Sequence, residues 1–304
     1  MRSSNRGSAL PARSASRIGQ ALGAYVLIMP AFLAIGVFVL WPVGYSLVLS
    51  TMEWKLGYDA REFVLLDNYV KLLGSRVFWN AALNTVVYTV AMVLASIALG
   101  LGLSLAITAG KRLQSFWQVL FFMPIAATMS AMAVVWRFLL DGNLGIVNAM
   151  LARLGAAPVA WLTGDATAMG AVIVVGIWSN AGYAMVFFIA GLSNIPEALY
   201  EAAAIDGAGI LRRFTSITWP LLSPSTLFVL VIMTVRALAS FDIVKVLTDG
   251  GPLGATQVLS HLLYQEAFQF FDTGYASAVA VVFFLLVLLL ALLQMKVEKW
   301  VHYQ

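Results

Sequence analysis

Six stretches of the chain stay apolar long enough to cross a bilayer, near residues 22–50, 80–109, 116–140, 168–192, 223–246 and 276–295. A hydrocarbon core of about 30 Å needs roughly 20 helical residues. The runs are continuously apolar rather than alternating in short segments, so they predict helices and not the strands of a barrel. Pro30 and Pro42 fall in the first run, which is therefore expected to bend or to begin obliquely. The fifth run is the weakest, because Arg236, Asp242 and Lys245 interrupt it, and it can end before Asp242. The longest polar interval, around 51–79, mixes charges with aromatics and predicts a short interfacial helix plus a loop. Residues 141–162 carry Gly, Asn and Pro between amphipathic pieces. The expected fold class is all-α, a polytopic membrane protein with six transmembrane helices.

Composition agrees with the pattern. Hydrophobic residues make up 62% of the 304 positions and charged residues only 11%, with a mean hydropathy of +0.91. Soluble domains carry about 25% charged residues. The net charge of +4 need not imply nucleic acid, because the basic residues flank the apolar runs. Six spans put both termini on one side. That side holds Arg2, Arg6, Arg13, Arg17, Lys111, Arg112, Arg212, Arg213, Lys296 and Lys299, ten residues against Lys55, Arg61, Lys71, Arg76 and Arg153 opposite. The excess places both ends in the cytoplasm. The resulting organisation is a disordered basic cytoplasmic tail at 1–20, a retained first span with its external loop at 21–79, a five-helix core at 80–295, and a cytoplasmic tail at 296–304.

The chemistry-bearing residues are few. There is no cysteine, and His261 and His302 are far apart, so neither disulfides nor a histidine metal cluster is expected. No GxxxxGK[ST] phosphate loop occurs, so this chain should bind no nucleotide and hold no catalytic residue or cofactor. GDA at 164–166 and DGGPLGA at 249–255 read as external turns. Charge inside a span is costly and suggests function. Arg137 lies four residues before Asp141, and a local ion pair accounts for it. Arg236 pairs with Asp242, pairs with a neighbouring subunit, or lines a pathway. Asn180 and Tyr183, three apart, share one helical face and either bind a polar solute or hold helices together.

The segment between the fourth and fifth runs, EAAAIDGAGILRRFTSITWPLLSP at 201–224, is charged and Gly-punctuated. Pro196 opens a short helix through the three alanines, and Gly207 and Gly209 end it. So short a helix is unstable alone in water; it either docks on another protein or lies on the bilayer. The segment resembles the cytoplasmic loop of permease subunits of binding-protein-dependent ABC importers. Glu201, Ala202, Ala203, Gly207, Ile217 and Pro220 match that pattern, and Trp219 stands where Leu is usual. NTVVYT at 84–89, FFMPIAATMSAMAVVW at 121–136 and SFDIVKVLTDGGPLGATQVLSHLLYQEAF at 240–268 extend the resemblance, specifically to the first permeases of maltose and glycerol-phosphate importers. It implies a type I importer permease fold in the bacterial cytoplasmic (inner) membrane. It also implies a second, nonidentical permease, two ATPase subunits that hold ATP and Mg, an extracytoplasmic solute-binding protein, and a carbohydrate-like substrate. Residues near 197–208 become a coupling helix, with Glu201 its polar anchor, Gly207 its geometric partner, and Asp206 either an ATPase contact or a local cap. The contrasting expectation is a secondary transporter driven by an ion gradient, which would place acidic or histidine relays inside its spans.

Overall fold

The computed structural model describes residues 25–58, 61–110 and 113–297. The 1–20 tail, the Lys111–Arg112 turn and the chain beyond Val297, all used in the orientation above, lie outside the described residues. Helix α1, Tyr25–Leu49, is apolar and exposed along nearly its whole length. Its expected irregularity takes the form of a π-helical turn at Gly36–Leu40, where the Trp41 N–H donates to the Gly36 carbonyl. Pro42 has no N–H, and its ring would press on the carbonyl four residues back, so a widened turn relieves the clash. The same device recurs before Pro220, where the Trp219 N–H donates to the Phe214 carbonyl.

The interval after α1 holds a feature the hydrophobic pattern did not foretell. Strands β1 (Met52–Glu53) and β2 (Glu62–Phe63) pair antiparallel, ahead of helix α2 (Asp67–Gly74). Two-residue strands are too short to show an alternation. Asn68 Nδ2 donates to the carbonyls of Ser50 and Met52, clasping α2 to the end of α1.

Helix α3, Arg76–Ala109, begins with the Ser75 hydroxyl accepting from the Phe78 N–H. Helices α4 (Gln114–Ala126) and α5 (Met129–Leu139) replace the single third span expected at 116–140 and meet at 99°. Pro124 removes a donor inside α4, and Ala127 and Thr128 turn extended, so the ladder cannot continue. After α6 (Ile146–Arg153), helix α7 spans Ala168–Ser193.

Helix α8 is Glu197–Ile205. Helix α9 (Ile210–Leu221) and α10 (Ser223–Leu238) form a second bent pair, at 64°. The fifth span thus ends at Leu238, before Asp242, and Phe241–Leu247 is a separate helix, α11. Helix α12 (Leu259–Tyr264) precedes α13, Thr273–Val297. Among the described residues, four helices are long and apolar enough to cross a membrane, or up to six if each bent pair is one span.

Helices α3 and α7 run parallel at the centre. Gly176 sits against Tyr88, and Gly100 against Ala184, leaving no room for a Cβ at either glycine. Lipid supplies no hydrophobic drive between spans, so such close backbone approach carries their packing. Tyr88, Met92, Val175, Phe188, Val229 and Met233 are buried in the cluster joining α3, α7 and α10.

Candidate functional site

The three candidate pathway residues come together. Arg236, in the last turn of α10, donates from Nε to Asn180 Oδ1 of α7 at 2.5 Å. Its guanidinium carbon stands 5.0 Å from the centre of the Tyr183 ring. Asn180 is fixed in turn, its Nδ2 donating to the Gly176 carbonyl at 2.8 Å and to Ser179 Oγ at 2.9 Å. The cluster borders a cavity that Tyr88, Ser179, Ser240 and Asp242 also line. Asn180 falls at the midpoint of α7, about 18 Å from either end at 1.5 Å per residue. Among the described residues no carboxylate lies within 4.0 Å of Arg236, so the pairing with Asp242 is not made. The sequence reading missed Tyr88 and Ser240 because each is one polar side chain in an otherwise apolar or motif-rich stretch. The interruption of the helix at Ala239 and Ser240 is what turns the chain past the cavity.

The second candidate lies at one end of the bundle. Past Ile205 the chain reverses tightly: the Gly207 N–H donates to the Ala204 carbonyl and the Ala208 N–H to that of Ala203. Gly207 has φ +73, the left-handed conformation that suits glycine. Arg213 Nε donates to the Ala208 carbonyl at 2.7 Å and braces the turn. Glu201, Ala202, Asp206 and Gly207 are exposed, and Ala203 is half-buried. Beside them Ile205 and Ile210 are each 88% exposed and Leu211 76%. An apolar ridge with a carboxylate on its flank is thus presented outward. The reversal is closed by backbone donors, and among the described residues the Asp206 carboxylate accepts no hydrogen bond, so the local-cap role is not seen.

At the other end, DGGPLGA is a turn as expected. Asn80 Nδ2 donates to the Gly254 carbonyl at 2.7 Å, and Asn84 Nδ2 to those of Gly254 and Gln257 at 3.0 Å. Leu253 at its tip is 95% exposed. Below the loop His261 is buried, with Nε2 3.0 Å from Asp249 Oδ1 and Nδ1 3.0 Å from Gln257 Oε1. Burial holds the His261 imidazole below its ordinary pKa, while the hydrogen bond from Lys245 lowers the Asp249 carboxyl. The expected Arg137–Asp141 ion pair is absent. Arg137 Nη1 donates to the Val246 carbonyl at 3.4 Å, and Asp141 accepts from the Leu144 and Asn143 N–H groups, which lower its pKa.

Residues 98–303 match the family described as binding-protein-dependent transport system inner membrane component. The chain is 34% identical over 278 residues to the trehalose/maltose transport system permease protein of Thermococcus litoralis, covering 91% of this chain and 93% of the relative. It is also 34% identical over 271 residues to the sulfoquinovosyl glycerol transport system permease protein of Agrobacterium fabrum, covering 88% of each. A solved bacterial ABC transporter, involved in the import of the acidic polysaccharide alginate, contains a chain that superposes with a TM-score of 0.83 at 23% identity. The match covers 96% of this chain and 100% of that one, a likeness of fold.

Proposed function

The chain belongs to the binding-protein-dependent transport system inner membrane components, the permease subunits of ABC importers, and from that premise we propose how its two sites divide the work. Arg236, Asn180 and Tyr183 line the pathway for a carbohydrate or related polyol. The segment from Glu197 to Leu211, with Glu201, Ala202, Ala203, Asp206 and Gly207 at its centre, docks on an ATPase subunit. The observation that carries this reading is continuity. The docking segment leads into α9, and α9 leads through one bend into α10, which ends at the cavity with Arg236.

A chain without a phosphate loop needs partners to use ATP. The proposed assembly is this subunit, one nonidentical permease, and two ATPase copies holding ATP and Mg, fed by an extracytoplasmic solute-binding protein. It sits in the bacterial cytoplasmic membrane with both termini inside. Closure of the ATPase pair would draw the docking segments together and rock the spans around a site near mid-membrane. Nucleotide shifts that equilibrium only by its differential affinity for the two states. Family membership leaves the ion-gradient-driven alternative without support.

Purification in mild detergent, followed by native mass spectrometry, tests the assembly. The expected mass is that of two different permeases with two ATPase copies. An active complex containing this chain alone would overturn the reading.

A further inference from the structure

The Arg236 side chain is fixed, yet most of its donors are unused. Only Nε is engaged, on Asn180. Its two Nη groups carry four N–H donors that meet no acceptor among the described residues. Asn180 cannot swing away, because Gly176 and Ser179 hold its amide. The Tyr183 ring face flanks the guanidinium and orients its plane. The result is a preset fork facing a cavity at mid-span. A permanent cation there is costly unless something answers its charge, and a planar fork of this kind matches two oxygens of one oxyanion.

Asp242, the one carboxylate among the described residues that border the cavity, stands beyond 4.0 Å and past the interruption between α10 and α11 at Ala239 and Ser240. The guanidinium thus has no carboxylate partner among the described residues, and Asp242 is suited to accept from hydroxyls. Among the described residues Arg236 is the only basic one along the same lining. We propose that Arg236 reads an anionic group on the transported solute, so that the importer carries a polyol or glycoside bearing a phosphate, sulfonate or carboxylate. This rests on the reading of the cavity as the transport path.

The test uses the assembled importer in nanodiscs and follows its thermal unfolding at matched ionic strength. The probes are sn-glycerol 3-phosphate against glycerol, and glucuronate against glucose. The charged member of at least one pair should raise Tm in a saturable way, and which pair responds separates phosphate from carboxylate recognition. Arg236→Gln should abolish that shift. Arg236→Lys, which keeps the charge but loses the fork, should weaken binding about tenfold and covers the case in which the glutamine variant does not assemble. No shift from either anion, or an equal shift in both variants, overturns the proposal. Because the chain has no cysteine, Ala239→Cys reports separately on whether water reaches the cavity. Labelling there together with no anion effect sinks the anion reading alone. No labelling in any nucleotide state sinks the pathway reading beneath it.

Discussion

The Tyr200 hydroxyl lies 2.9 Å from Thr218 Oγ1, closing the base of the loop that carries Glu201 and Gly207. This bond ties α8 to the widened turn of α9 just ahead of Pro220, so a push on α8 reaches the bent pair without slack. Tyr200→Phe removes one hydroxyl and keeps the ring. A single such bond is worth about 0.5–1.5 kcal/mol. ATPase co-purification should be unchanged, while substrate moved per ATP hydrolysed in vesicles falls several-fold. An unchanged ratio would show that the bond carries no force.

Glu201→Ala and Gly207→Val should fail for different reasons. Glu201 is exposed at the flank of the ridge, so its loss acts on the partner contact. Removing one member of a hydrogen-bonded charge pair costs about 2–5 kcal/mol where the pair becomes buried, and about 1.4 kcal/mol already weakens docking tenfold. Nothing lies within 4 Å of a Cβ at Gly207, so valine there meets no clash, only a φ of +73. That conformation costs an L-residue roughly 1–2 kcal/mol. ATPase affinity measured on the purified permease pair should fall in both variants, and normal affinity in both would leave the segment a mere surface helix.

Gly182 is where α4 crosses α7, and a Cβ there would collide with the Phe121 carbonyl oxygen. Backbone cannot yield as a flexible side chain does. Gly182→Ala should therefore separate the two helices and destabilise by about 1–3 kcal/mol, the usual cost of overpacking. A lowered unfolding temperature in detergent is expected; an unchanged one would mean that the crossing adapts freely.

Acid should loosen the end of the bundle that carries the Asp249–Ala255 turn. The folded pKa of His261 is depressed by burial, so the neutral imidazole is the native form, and Lys245 nearby opposes protonation. Between the ordinary value near 6.5 and the lower folded value, the unfolded chain binds more protons, and stability drops as pH falls through that window. Asp249, also depressed, adds a loss of the same sign at more acid pH. Limited proteolysis of the loop around Leu253 should accelerate as pH falls below the ordinary imidazole value of about 6.5, and His261→Gln should flatten that slope. A slope that survives the substitution would assign it elsewhere.

Single cysteines decide orientation. Ser216 and Asp165 are both exposed, at opposite ends of the bundle. In intact cells Asp165→Cys should react with an impermeant thiol reagent, unless the binding protein covers it, and Ser216→Cys should not. Labelling of Ser216→Cys from outside would invert the topology.

The apolar runs by themselves determined that this chain is helical and membrane-embedded, because lipid leaves the backbone no other partner than itself. The short helix after Pro196 was equally legible, since its Pro196 start, run of alanines and Gly207 reversal are local and need no distant contact. The 99° break at Ala127 and Thr128 was not, because a hydropathy window averages across the two extended residues that follow Pro124 and end the helix. Nor was the partner of Arg236. Proximity along the chain suggested Asp242, yet α7 supplies Asn180 from 56 positions away. Arg137 and Asp141 show the same thing in reverse, near in sequence and each bonded elsewhere. Which polar groups meet inside a membrane protein depends on how whole helices cross, and those crossings are set by small contacts such as Gly182 on Phe121. Hydrophobicity places a segment in the bilayer but is blind to its rotation and its neighbours.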